Sequence, residues 1–153
     1  MVKPFTKIGK YTRTHHIIFD GFGVNSKLLV NERFILNLLL EIPSLIKMKI
    51  MAGPNLIRDY NKHHEGITGF AIVNFSHISI HTFSKTQEIY VDVFSCKPFD
   101  SKKVQNYLVK MLSPKQMERL EVKYPWEREN KPRRRATAKL RLHSLHKTKG
   151  RKS

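Results

Sequence analysis

The chain has a single cysteine among its 153 residues, so it can form neither an internal disulfide nor a multi-cysteine zinc site. A lone thiol suits a reducing cytoplasm, and its protonation state bears on any chemistry nearby. Long apolar runs are also missing. The richest, residues 34–46, is interrupted by Asn37, Glu41 and Pro43 and is too short to span a bilayer. Met1-Val2-Lys3-Pro4-Phe5-Thr6 carries charge with no apolar block behind it, which argues against a signal peptide. These absences predict a soluble, cytoplasmic protein with no membrane partner. Acidic residues are scarce: 12 stand against 29 lysines and arginines, for a net charge of +17. Ten of those bases lie between Lys131 and Ser153, a stretch without an acid, which leaves 19 bases and 12 acids elsewhere. Most of the basicity therefore belongs to a tail. That tail has no Phe, Trp or Tyr for base stacking. Any contact it makes with RNA, DNA or another polyanion would be weak, electrostatic and salt-sensitive.

The length suits one domain, able to bury roughly 70% of the surface its unfolded chain exposes. Residues 1–14 read as a flexible arm, 15–125 as the domain, and 126–153 as a basic, disordered tail. Residues 16–23 read as a strand ending in glycines. Asn25 or Asn31 caps a helix with Ile35, Leu38, Leu39 and Ile42 at helical spacing, and Pro43 marks its end. Residues 45–51 alternate like a half-buried strand. Gly53-Pro54-Asn55 signals a turn, followed by a polar loop to Glu65. Strands then span 66–75, 76–83 and 89–95, a helix opens at Pro98 and Asp100, and 120–122 is a last strand. The order β-α-β-β-β-β-α-β predicts an α+β two-layer sandwich: a mainly antiparallel sheet with both helices on one face. The other face also carries apolar side chains, which predicts a sheet-to-sheet homodimer.

The chemistry concentrates between Phe75 and Cys96. Ser76 and His77 open one strand, and the next delivers Cys96, so a hydroxyl, an imidazole and a thiol reach one end of two neighbouring strands. His77 and His81 share a strand face, but no third ligand is near, so a metal is not expected. His15-His16 and His63-His64-Glu65 read as solvated, with His64 placed to line a pocket beside Gly66.

The run Ser76-His77-Ile78-Ser79-Ile80-His81-Thr82-Phe83, followed by Val91-Asp92-Val93-Phe94-Ser95-Cys96, resembles the prokaryotic-type S-adenosylmethionine decarboxylase family. The resemblance spans about residues 15–112 and implies a self-processing, pyruvoyl-dependent decarboxylase of polyamine biosynthesis. In that family the serine hydroxyl attacks the preceding carbonyl, an ester replaces the peptide bond, and elimination leaves a pyruvoyl group. Here the cut would fall between Phe75 and Ser76, with Ser76 the precursor of the cofactor. The ketone forms a Schiff base with a substrate amine and accepts the electrons that CO₂ leaves behind. By motif position His81 is the histidine that assists cleavage, Thr68 a hydroxyl supporting the same step, and Cys96 the thiol that reprotonates the substrate carbon. Phe83 falls where the family places an aromatic beside the site.

Strand parity adds a condition. Ser76 and His81 are five residues apart, so an unbroken strand points them to opposite faces, and a bulge or turn is expected near 76–78. Two positions depart from the family pattern: Phe75 replaces a glutamate, and Ser84-Lys85 replaces Pro-Glu. Lysine has no acceptor for the ribose hydroxyls that the second glutamate would bind. S-adenosylmethionine is the first substrate expected and arginine the alternative. A non-cleaving regulatory paralogue and a nucleic-acid-associated protein using the basic tail are further readings.

Overall fold

The computed structural model describes residues 14–123 and 139–141. Its elements run β1 (His15–Phe22), α1 (Ser26–Leu29), α2 (Glu32–Leu45), β2 (Ile50–Asp59), β3 (Gly66–Val73), β4 (Ser76–Phe83), β5 (Glu88–Ser95), α3 (Ser101–Leu112), β6 (Gln116–Lys123) and β7 (Lys139–Arg141). The strands form one sheet in the order β2-β3-β4-β5-β1-β6-β7, and every neighbouring pair is antiparallel. The α+β architecture expected from the sequence is present, with α1 and β7 added. Apart from the backbone of β7, the basic segment of residues 131–153 lies outside the described residues, as do residues 1–13 of the arm.

Both candidate caps are used. Asn25 Oδ1 accepts from the Lys27 amide at 3.0 Å, and Asn31 Oδ1 accepts from the Phe34 amide at 3.0 Å, so the predicted helix divides in two. Ile35, Leu38, Leu39 and Ile42 of α2 are fully buried against the sheet. Pro43 does not end this helix, which continues to Leu45 with the proline buried inside it. The missing N–H forfeits one hydrogen bond in a last turn that is about to end anyway. The strand expected over residues 45–51 is also corrected: Leu45 closes α2, Lys47 adopts a left-handed conformation at φ +56°, and β2 starts at Ile50. Ile46 and Met48 keep the apolar alternation because they fold under the helix end into the core.

The expected turn at Gly53-Pro54-Asn55 lies inside β2. Register against β3 shifts between Ile50 and Ala52 and again between Ala52 and Asn55, which marks an irregular, bulged stretch. A proline without an N–H is tolerated there because β2 is an edge strand.

Burial alternates along the central strands, which separates two faces. Ile17, Phe19, Ile67, Ala71, Ile78, Ile80, Val91 and Val93 face the helices and form the core. The opposite face carries Thr68, Phe70, Ile72, His77, His81, Phe83, Tyr90, Asp92 and Phe94. Phe70 and Ile72 are 41% and 45% exposed on it, so among the described residues this face is apolar and partly open.

Thr82 ties the layers together. Its hydroxyl accepts from the Ile67 amide at 2.7 Å and donates to the Leu29 carbonyl at 2.7 Å, joining β3, β4 and the end of α1. The approach is close enough that a Cβ on Gly66 would lie 1.8 Å from the Thr82 carbonyl oxygen, so residue 66 must be glycine. Thr82→Val keeps the shape and strands both buried partners, so it should cost about 2 kcal/mol. A lowered urea unfolding midpoint is the expected result; an unchanged midpoint would show that Thr82 carries no such tie.

Candidate active site

The β3–β4 turn consists of Asn74 and Phe75, because Val73 pairs with Ser76 across it. Both turn residues are held. The Asn74 amide donates to the Lys49 carbonyl, and Asn74 Oδ1 accepts from the Lys49 amide, each at 3.0 Å. The Phe75 carbonyl accepts from the Cys96 amide at 3.0 Å. That N–H polarises the carbonyl a serine nucleophile would attack and opposes the charge that would build on its oxygen. The Phe75 ring packs on the core, with the Lys97 ammonium 5.3 Å from its centroid.

Cys96 reaches this position through a local turn. Buried Ser95, which pairs with Ser76, accepts from the Lys97 amide at 2.9 Å and donates to the Lys97 carbonyl at 2.7 Å. The partly buried Cys96 thiol, which forms no disulfide, is thereby kept beside the β3–β4 turn.

Ser76 Oγ lies 3.2 Å from His77 Nδ1. The His77 ring stacks between Phe70 and Phe94, at centroid distances of 5.5 and 5.6 Å and interplanar angles of 24° and 23°. Its Nε2 stands 3.8 Å from Asp92 Oδ1, and Asp92 Oδ2 is hydrogen-bonded to His16 Nε2.

His81 belongs to a different cluster. Thr68 is its cross-strand partner, with Oγ1 2.9 Å from His81 Nδ1. Phe83 stacks on His81 at 5.9 Å and 15°, and meets Tyr90 edge-on. The bulge expected at residues 76–78 is absent, because β4 pairs with both neighbours without a register shift. A regular strand keeps Ser76 and His81 on opposite sides and roughly 16 Å apart along its axis. The structure therefore joins Thr68, His81 and Phe83, separately sets the Cys96 amide on the Phe75 carbonyl next to Ser76, and keeps the two groups apart within one chain.

His64 is exposed, and its Nδ1 lies 2.8 Å from Asp59 Oδ2. Its neighbour Glu65 is more firmly built in, accepting from Arg58 Nη2 at 2.7 Å and from the Ser84 hydroxyl at 3.3 Å. The Arg58 hydrogen bond is the main cause that holds the Glu65 carboxyl below the usual glutamate range; Ser84 and the charge of Lys85 add to it, against the cost of desolvation. The sequence marks His77 as the imidazole at this strand end without a role and Glu65 only as a neighbour of His64; Asp92 is not marked at all. The alternation of β4 and β5 puts His77 and Asp92 on one face, but their meeting depends on register, which the sequence does not display.

The S-adenosylmethionine decarboxylase family model matches residues 15–124. The chain is 34% identical over 110 residues to an S-adenosylmethionine decarboxylase proenzyme from Clostridium botulinum, covering 71% of this chain and 90% of the relative. The chain belongs to the S-adenosylmethionine decarboxylase family. Another relative, an arginine decarboxylase proenzyme from Caldivirga maquilingensis, is 29% identical over 104 residues, covering 65% of this chain and 75% of the relative. The crystal structure of the adenosylmethionine decarboxylase from Aquifex aeolicus matches the fold with a TM-score of 0.65 at 24% identity, covering 79% of this chain and 98% of that one. The family match stops just before the basic tail. As a family member the chain departs at Phe75, whose ring takes the Lys97 charge, and at Lys85, which adds positive charge near Glu65.

The depressed Glu65 has a pH consequence. A carboxylate whose pKa is lower in the folded state contributes stability above its unfolded pKa and loses it as pH falls through the folded one. Glu65→Gln should be less stable than the parent at neutral pH, with the gap closing on acidification below the usual glutamate range. Urea midpoints across a pH series test this; a gap independent of pH would contradict it.

Proposed function

We propose that the chain is a self-processing decarboxylase acting on S-adenosylmethionine, with a pyruvoyl group formed at Ser76 by breakage of the Phe75–Ser76 bond. The observation that carries this reading is the hydrogen bond from the Cys96 amide to the Phe75 carbonyl, directly upstream of a serine hydroxyl. The residues present suit the group: the serine opens a strand behind an anchored two-residue turn, and a thiol ends the adjacent strand. When formed, the ketone supplies an electron sink for loss of CO₂. Cys96 reprotonates the substrate carbon, and Phe83 and His64 contribute substrate contacts. The single thiol is consistent with chemistry in a reducing cytoplasm.

The separation of Ser76 from His81 bears on assembly. A homodimer packed through the open sheet faces would cover Phe70 and Ile72 and carry His81 and Thr68 of one protomer toward the strand end where His77 adjoins Ser76 in the other. Among the described residues no helix is long and apolar enough to cross a membrane, so this apolar face is better matched by a second copy than by a lipid-spanning role.

Purified protein should run as two pieces of near-equal size on a denaturing gel, and Ser76→Ala as one 18.0 kDa chain. Carboxyl-labelled S-adenosylmethionine should release labelled CO₂. Release from arginine instead would transfer the substrate to the arginine branch, which the lack of a ribose-accepting carboxylate at Lys85 favours. An unprocessed wild type would leave a non-catalytic paralogue. Cys96→Ala keeps the main-chain N–H, so it should still cleave while turnover falls about 10²-fold; equal loss of both would show that the thiol serves cleavage as well. Co-expression of His81→Ala with Ser76→Ala should restore cleavage of the His81→Ala chain if the sites are shared between protomers. Failure to restore it would place His81 in its own chain's site.

A further inference from the structure

At the strand ends beside the β3–β4 turn, the Ser76 hydroxyl meets a line of three open-face side chains, so that four polar groups from three strands stand in sequence: Ser76, His77, Asp92 and His16. Ser76 Oγ is 3.2 Å from His77 Nδ1, His77 Nε2 is 3.8 Å from Asp92 Oδ1, and Asp92 Oδ2 is hydrogen-bonded to His16 Nε2. Packing alone does not call for this line. The imidazole is clamped between Phe70 of β3 and Phe94 of β5, which fixes its plane while leaving both ring nitrogens in that plane facing polar groups. His16 is itself set edge-on against Phe94 at 5.4 Å and 81°, so the same ring orients both histidines.

We propose that His77 is the base that takes the Ser76 hydroxyl proton in the first step of self-cleavage, and that Asp92, held by His16, positions it. This rests on the self-processing reading above. It assigns the first proton transfer to a residue beside Ser76 in the same chain; His81 is hydrogen-bonded to Thr68, is a strand's length from Ser76 within one chain, and is left to the later steps of cleavage. In neutral His77 with its proton on Nε2, the Nδ1 lone pair faces Ser76 and the N–H faces Asp92. At 3.8 Å Asp92 acts by charge, favouring this tautomer and the imidazolium that follows. The step balances. The hydroxyl proton passes to Nδ1, the bond from Oγ to the Phe75 carbonyl carbon forms, and the Cys96 N–H receives the developing oxyanion. The Phe75–Ser76 C–N bond then breaks, and the proton returns to the freed Ser76 nitrogen. The product is an ester isomer of the same chain.

The full chain made by cell-free synthesis and followed on denaturing gels separates the outcomes. Wild type should cleave, while His77→Ala and the bulkier His77→Gln should cleave at least about 10²-fold more slowly. Hydroxylamine, which cuts esters, should release no fragments from either variant. Added imidazole should restore cleavage of His77→Ala by entering the gap between Phe70 and Phe94. Asp92→Asn should show a smaller loss, recovered in part by Asp92→Glu. If wild type cleaves and both His77 variants match it, or if hydroxylamine cuts the variants at residue 75, the assignment is wrong and the self-processing reading stands. Slow His77 variants that imidazole does not rescue, beside an Asp92→Asn that cleaves normally, would reduce His77 to a packing residue and overturn the proposal. A wild type that never cleaves sinks the underlying reading along with it.

Discussion

The hydrogen bond between the Cys96 amide and the Phe75 carbonyl ties together two strand ends and fixes the backbone directly upstream of Ser76. It exists because β4 and β5 pair in strict register from Ser76 opposite Ser95 onward, and because Ser95 turns the chain back over Lys97. Asn74 anchors the same turn to Lys49 from the other side. A peptide bond in a free hairpin would sample many orientations. Here its carbonyl accepts from the Cys96 amide and directly precedes the Ser76 hydroxyl. Such ordering is what a reaction that begins on the backbone itself requires.

The sheet divides labour between its faces. The helix-covered side is an ordinary aliphatic core, closed by α2 and sealed where Thr82 joins the end of α1 to β3 and β4. The open side gathers histidines, carboxylates and aromatics in two clusters, one around His77 and Asp92 beside the strand end that carries Ser76, and one around His81. The regular strand keeps the clusters apart within one chain, and Phe70 and Ile72 stay partly exposed on the side that carries His81; the proposed homodimer would bear on both. The electrostatics fit a functional face as well. Burial, with the Glu118 charge second, raises the Asp20 carboxyl above its usual range.

Much of the fold was legible from local chemistry. The alternation in β3, β4 and β5, the Asn31 and Asp100 caps and the apolar spacing of α2 each reflect a physical preference that the tertiary structure reinforces. The misreadings have a common origin in position within the sheet. Gly53-Pro54 reads as a turn until β2 is known to be an edge strand, where a proline can interrupt the ladder without cost to a neighbour. Pro43 reads as a stop until it is seen in a last turn and buried. At the site, motif position assigns Thr68 and His81 to the same step, and the cross-strand register places them opposite each other, which the sequence does not display. Asp92 could not be connected to His77, because strands β4 and β5 must be aligned before their side chains meet. The parity of Ser76 and His81 was readable from spacing; the regular strand that makes it binding was not.

Intact mass spectrometry of the purified protein tests the central claim most directly. The account predicts two polypeptides, one ending at Phe75 and one starting at residue 76 and lighter than an N-terminal serine chain by the mass of ammonia. A single mass equal to the uncut sequence, stable on prolonged incubation, would contradict it.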